Sequence, residues 1–218
     1  WREFRAKYKK PLVYTMRVWR LIISAALLTA AMIAAAIYFV PAYAPAIALG
    51  LLVMPIIMLL ANVINKPLEA AISRWYYNDA KRILRSMPDL TIIGVTGSFG
   101  KTSTKHYLYR ILAEKYNVLM TPGNFNTTLG VIRTVREHLK PHHQIFIVEM
   151  GAKQVGDIKE ICDLVHPTIG IVTAVGEMHL ETFGSLDNVR KTKFELLDAL
   201  PANGLGVVNM DSAPIADG

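Results

Sequence analysis

Residues suited to phosphate chemistry gather in the second half of the chain, first of all in Gly94-Val95-Thr96-Gly97-Ser98-Phe99-Gly100-Lys101-Thr102-Ser103. Glycines at 97 and 100 let backbone N–H groups close around phosphate oxygens, and a helix starting at this point adds positive potential from its N-terminus. In such a cradle, built from Gly97, Ser98, Gly100 and Ser103, Lys101 reaches the terminal phosphates and the Thr102 hydroxyl can ligate Mg²⁺. The spacing departs from the strict phosphate-loop pattern, because the position five before Gly100 is Val95, with Gly94 one place earlier. Gly-Lys-Thr alone occurs often by chance. A strand before it, a helix after it and Gly97 in the turn are what favour a nucleotide.

Two further stretches join it. Gln144-Ile145-Phe146-Ile147-Val148-Glu149 ends in a carboxylate followed by Met150-Gly151. An acid at the end of a buried strand beside a phosphate loop is placed to hold Mg²⁺, directly or through water, with capping of the next helix as its alternative role. Gly176-Glu177-Met178-His179-Leu180-Glu181-Thr182-Phe183-Gly184-Ser185 brings a histidine into a loop; a histidine there is more often a surface residue than a ligand. The other five (His106, His138, His142, His143, His166) fall on helices or ordinary turns and are assigned no chemistry. Thr121 to Gly130 is rich in amides and hydroxyls, which suits polar substrate recognition and equally suits turns and helix capping.

These stretches need a scaffold that brings them to one rim. From Leu90 onward short β-rich runs (Thr91–Thr96, Asn117–Met120, Gln144–Glu149, Thr168–Ala174, Gly204–Val208) alternate with helical runs at about 102–115, 127–139, 154–165 and 185–200. Alternation of this kind builds an α/β domain, a parallel sheet covered by helices on both faces. Ligands of such sheets bind at the carboxyl ends of the strands, where all the candidate residues fall.

The first 90 residues are different. Residues 1–20 hold seven Lys/Arg against one Glu, and residues 21–65 hold no charged side chain at all. Leu21–Val40 is a run of twenty uncharged, mostly apolar residues, close to the ~20 a helix needs to cross a bilayer. A second apolar run, Ala46 to about Ile64, follows the Pro41–Pro45 connection and contains Pro55, tolerable where a neighbouring helix packs alongside. A signal peptide would have a shorter apolar core and a small-residue cleavage site; a buried soluble hairpin is the other alternative. Lys/Arg flank both runs on their outer sides and are missing from the connection, so both ends are expected in the cytoplasm, with a two-pass anchor in the cell membrane. Lys66 to Met87 alternates apolar and basic positions at helical spacing. It is expected either on lipid headgroups or docked on the domain that follows. The expected organisation is a basic tail (1–20), two transmembrane helices (21–65), a juxtamembrane linker helix (66–90) and an ATP-binding domain (91–218).

Charge and cysteine content exclude other classes. Of the chain's net +7, residues 91–218 contribute −1, so the globular part lacks the clustered Lys/Arg that nucleic acid requires, and none is expected as a partner. A single cysteine, Cys162, rules out an intramolecular disulfide and a cysteine-based zinc cluster. The chain starts at Trp1 and stops at Gly218 just after a strand-like run, which reads as a fragment.

Taken together the motifs resemble the Mur ligase family, the ATP-dependent enzymes that add amino acids to the peptidoglycan precursor. Gly-Val-Thr-Gly-Ser-Phe-Gly-Lys-Thr-Ser is similar to that family's phosphate loop, which accounts for the departure in spacing. Gly123-Asn124-Phe125-Asn126-Thr127, Val148-Glu149-Met150-Gly151, Met178-His179-Leu180 with Phe183-Gly184-Ser185, and Arg190-Lys191-Thr192-Lys193-Phe194-Glu195 follow in the family's order. The resemblance covers about 91–211 and is greatest to the branch that joins D-alanyl-D-alanine to the precursor tripeptide. It implies that Lys101 and Thr102 hold the ATP phosphates and one Mg²⁺, that Glu149 ligates that ion and His179 a second, and that Lys193 is the family's lysine that is carbamylated in several members. A helix lysine in a salt bridge is the alternative for Lys193. Asn124, Asn126 and Thr127 would lie near the acyl substrate, and Asn209 and Asp211 look like the family's Asn-x-Asp segment. The implied partners are a muramyl-peptide acceptor, an amino acid or dipeptide amine, and membrane lipid. The implied reaction is attack of a carboxylate on the γ-phosphate of ATP, followed by displacement of phosphate by an amine. The membrane hairpin stands where the family usually has a domain for the uridine nucleotide, so a lipid-linked acceptor is also plausible, and the sequence stops before the family's C-terminal domain, so by this resemblance it is not expected to turn over by itself. A phosphate-loop ATPase or kinase that makes no amide, and a nucleotide-binding membrane scaffold without catalysis, are the rival classes.

Overall fold

The computed structural model describes residues 14–39, 43–178 and 180–212, and the chain divides into two compact units between Arg74 and Trp75. Residues 1–13 of the basic stretch, Val40 at the end of the first expected span and Pro41–Ala42 of the expected connection lie outside the described residues.

In the first unit α1 (Met16–Phe39) runs beside the first part of α2 (Tyr43–Arg85). A separate linker helix over 66–87 is not what forms: α2 runs through both Pro55 and Pro67. Each proline removes one backbone hydrogen bond, and the turns on either side keep theirs, so the helix continues. The described contact between the helices packs Ala25, Ile57 and Ala61 against Leu21, Leu28 and Met32. Polar groups lie along the same contact. Asn65 Nδ2 donates to Ser24 Oγ at 2.9 Å, and Glu69 pairs with Arg20 and, at 3.5 Å, with Arg17. Both helices are long and apolar enough to cross a membrane, and only 6% and 11% of their most apolar windows are buried. The core helix of a soluble protein would be mostly buried.

The second unit is an α/β domain. Its five parallel strands, β1 (Thr91–Thr96), β2 (Val118–Met120), β3 (Ile145–Glu149), β4 (Ile169–Val172) and β5 (Leu205–Val208), lie in the order β2-β3-β1-β4-β5. The central strand β1 pairs Val95 with Glu149 on one side and Thr96 with Val172 on the other, so three strands end at one rim. One face is covered by α3 (Lys101–Ala113), whose Leu108, Tyr109 and Leu112 pack on Ile93, Val95, Ile145 and Ile147. On the other face α4 (Thr128–His138), α5 (Asp157–Val165) and α7 (Leu186–Asp198) bury Ile92, Phe146 and Val148. Ala80, Leu84 and Met87, at and just after the end of α2, belong to this same core, so this part of the expected linker docks on the domain.

The elements follow the sequence pattern except near the rim. The fourth strand stops at Val172 rather than Ala174, because beyond it the neighbouring chain turns into the phosphate loop. The bonds Thr173 N to Thr96 O (2.9 Å) and Ser98 N to Ala174 O (2.7 Å) continue without a regular ladder. A short helix, α6 (Leu180–Phe183), follows in a stretch expected to be loop.

Candidate functional site

The loop between β1 and α3 wraps the carboxyl end of β1. Gly97 has φ +147°, and a Cβ there would meet Thr173 Oγ1 at 2.1 Å, so no larger residue fits. That Thr173 hydroxyl donates to Phe99 O at 2.6 Å, and Ser98 Oγ lies 3.0 Å from both Gly176 N and Gly176 O. The phosphate loop is thereby fastened to the segment after β4. Gly100, with φ +80°, caps α3 without a side-chain acceptor, which leaves the first N–H groups of the helix directed at the rim, the arrangement that receives anions. Lys101 Nζ donates to Gly97 O (2.6 Å) and Ser98 O (3.2 Å). Burial holds its pKa below the ordinary lysine value, with Glu149 acting in the opposite direction.

Glu149, 2% exposed, ends β3 next to this loop. Its Oε2 accepts from Thr102 Oγ1 at 3.1 Å and pairs with Lys105 Nζ at 2.8 Å, and its Oε1 accepts from Asn126 Nδ2 at 3.2 Å. Burial pushes the carboxyl pKa up, but Lys105, Asn126 and Thr102 together outweigh it and the net value lies below the usual one. Lys105 went unnoticed among the candidates. Its signal is visible afterwards: positions 105, 108, 109 and 112 form the inward stripe of α3, and a lysine in an otherwise apolar stripe requires a buried partner.

Asn126, Thr127, Gly97, Ser98, Lys101 and Lys193 line a cavity of about 290 Å³ at this rim, closed in part by Met178 and Phe183. Thr127 also accepts from Gly130 N as the cap of α4. Asn124 is exposed and lies off this lining. Ser103 is exposed in the first turn of α3. Lys193 projects from α7, 4% exposed, its Nζ 5.9 Å from the centre of the Phe183 ring. Burial above all, and then Lys101, lower its pKa to about 8. Two residues on, Glu195 accepts from Gly156 N (2.7 Å) and Lys159 N (2.9 Å), tying α7 to the start of α5. Asn209 Oδ1 accepts from Asp211 N at 3.1 Å just past β5. His179 lies outside the described residues.

Among the described residues no three His, Cys, Asp or Glu side chains converge. The Glu149 carboxylate and the Thr102 hydroxyl lie side by side next to the phosphate loop. Such hard oxygens fit Mg²⁺ of the kind that takes its remaining ligands from phosphates and water, and do not fit a self-contained metal cage. The rim can therefore bind a polyphosphate on N–H groups and Lys101, with a hard cation beside it.

Comparison with known proteins agrees with this geometry. The model of the Mur ligase middle domain matches residues 95–217. The UDP-N-acetylmuramoyl-tripeptide–D-alanyl-D-alanine ligase of Mycobacterium tuberculosis (strain H37Rv) is 41% identical over 131 residues, 58% of this chain and 25% of that protein. The enzyme of the same name from Escherichia coli K12 is 32% identical over 159 residues, 70% of this chain and 35% of that protein. Among solved structures, the MurF ligase from Thermotoga maritima in complex with ADP superposes with a TM-score of 0.62 at 33% identity, covering 66% of this chain and 33% of that one. A crystal structure of MurF from Acinetobacter baumannii gives 0.59 at 32% identity, covering 61% and 29%. The chain thus spans about a quarter to a third of the length of these relatives.

The buried Lys193 ammonium has a consequence for stability. With a folded pKa of about 8 against 10.5 for the free side chain, its burial costs stability in full below pH 8. Between the two values the unfolded chain binds more protons than the folded one, so stability rises with pH. Lys193→Met is expected to be more stable than the parent at pH 7, by up to about 3 kcal/mol. The gap should close as pH climbs from about 8 to 10.5, read from urea midpoints; a gap that stays constant across this range contradicts the assignment.

Proposed function

The chain belongs to the Mur ligase family, and from that premise we propose that it carries the phosphoryl-transfer half of an ATP-dependent amide ligase of peptidoglycan precursor synthesis. In this reading it serves to join D-alanyl-D-alanine, or a similar amine, to a muramyl-peptide acceptor. The observation that supports it most is the convergence of Lys101, Thr102 and Glu149 where β1 and β3 end, with Thr102 Oγ1 3.1 Å from Glu149 Oε2.

The N–H groups from Gly97 to Ser103 and the Lys101 ammonium grip the triphosphate. Thr102 and Glu149 would hold Mg²⁺, with His179 on a second ion, and the metal when bound neutralises charge on the transferring phosphoryl group. The acceptor carboxylate attacks the γ-phosphorus, releasing ADP and leaving an acyl phosphate. The incoming amine then displaces inorganic phosphate and loses a proton, giving the amide. Asn126, whose amide already bonds to Glu149, would contact the acyl substrate together with Thr127, while Asn124, off the cavity lining, would reach it only from the outside. Lys193 is suited to carbamylation, because addition of CO₂ needs the neutral amine and burial favours that form. The carbamate would replace a cation near Lys101 with an anion able to serve a metal.

The same proposal extends to location. The exposed apolar surface of α1 and the first part of α2, their inward polar contacts and the flanking Lys/Arg support a two-pass anchor with the α/β domain on the cytoplasmic side. A membrane-proximal acceptor suits such an anchor.

Two outcomes are expected. Calorimetric titration of the chain with Mg·ATP gives saturable binding that Lys101→Ala weakens roughly ten- to a hundred-fold, the worth of a charge-assisted hydrogen bond; equal binding by parent and variant removes the phosphate grip. In cell fractionation the protein stays with the membrane pellet after alkaline carbonate washing, and recovery in the wash would remove the anchor.

A further inference from the structure

We infer that Lys105 makes capture of a divalent metal at Glu149 conditional on nucleotide, an inference that rests on the proposed nucleotide site. Lys105 is fully buried. Removing an ammonium from water costs several kcal/mol unless it is paired and hydrogen-bonded. Here Nζ sits 2.8 Å from Glu149 Oε2 and donates to Gly123 O at 2.7 Å. Oε2 is also the oxygen that accepts from Thr102 Oγ1, and so the one best placed to share a metal with that hydroxyl. A tethered cation has already neutralised it.

The balance of charge around this oxygen decides what can bind. Glu149 is in contact with the Lys105 ammonium, Lys101 is close enough to shift in its field, and among the described residues no three acidic, histidine or cysteine side chains gather into a metal cage. The Lys105–Glu149 pair is neutral as it stands. A bare divalent ion approaching Oε2 finds that oxygen's charge already compensated and gains little, whereas an ion carried on a polyphosphate is also held through the phosphates by Lys101 and the loop N–H groups. Metal and nucleotide therefore enter as one complex. Lys105 has a second effect through Gly123 O: it ties the loop that carries Asn126 to the metal-side oxygen of Glu149, so both are in place before anything binds. It is a positioning residue and touches neither metal nor nucleotide.

The test titrates Mn²⁺ into the full chain with and without ATP, counting free Mn²⁺ by electron paramagnetic resonance. The parent is expected to bind Mn²⁺ with ATP and poorly without it. Lys105→Met should gain nucleotide-free Mn²⁺ affinity by at least roughly ten-fold, the scale of one unit charge removed a few ångströms away in a partly screened site, while Lys105→Arg stays like the parent. Lys105→Gln, whose amide keeps a donor for Gly123 O, is judged by the same criterion should the methionine variant fail to fold. A parent that takes up Mn²⁺ equally well with and without ATP, or uncharged variants with unchanged nucleotide-free affinity, overturns the role of Lys105 while leaving the nucleotide site standing. Failure of the parent to bind Mn·ATP at all overturns the nucleotide site itself, and this inference with it.

Discussion

A carboxylate taken almost completely out of water at the end of β3 must be met by donors, or it would be forced into its neutral form. Glu149 is met on three sides: by Thr102 and Lys105 from α3 and by Asn126 from the loop after β2. The donors come from two separate places in the chain, so satisfying the one charge fixes how α3 and the 121–127 loop sit against the sheet. Thr121 adds to this from behind, its hydroxyl accepting from Glu149 N at 3.1 Å. The 97–103 loop, the Glu149 carboxylate and the polar loop are in this way parts of one clamp.

Most of the scaffold was legible before any coordinates, because a parallel sheet imposes strong alternation of apolar runs and amphipathic helices. The order of the motifs along the chain also put Lys101, Thr102 and Glu149 at one rim. What escaped has physical causes. The helix expected to start at Lys66 is instead the continuation of α2, because a proline such as Pro67 removes only one bond of a long ladder. Thr173 fastens the phosphate loop from 74 positions away, and nothing in local pattern marks a threonine for that contact. Lys105 was hidden for the opposite reason. It lies one helical turn past Lys101 and looks like an ordinary surface lysine until the stripe formed by Leu108, Tyr109 and Leu112 shows that its position faces the sheet.

Family membership rests on the second unit, and the first has a logic of its own. Its helices meet through Ala25, Ile57 and Ala61 against Leu21, Leu28 and Met32, beside a short chain of polar groups, Ser24 with Asn65 and Arg20 with Glu69, while other apolar side chains such as Leu27, Ile33 and Leu59 are exposed.

Whether the Glu149 clamp serves a nucleotide is decided most directly by anomalous diffraction from crystals of the chain grown with Mn²⁺ and a non-hydrolysable ATP analogue. The expected result is a manganese peak bonded to Thr102 Oγ1, the Glu149 carboxylate and a phosphate oxygen, with Lys101 on the terminal phosphates. Nucleotide seated away from the 97–103 loop, or manganese bound without Glu149, would contradict it.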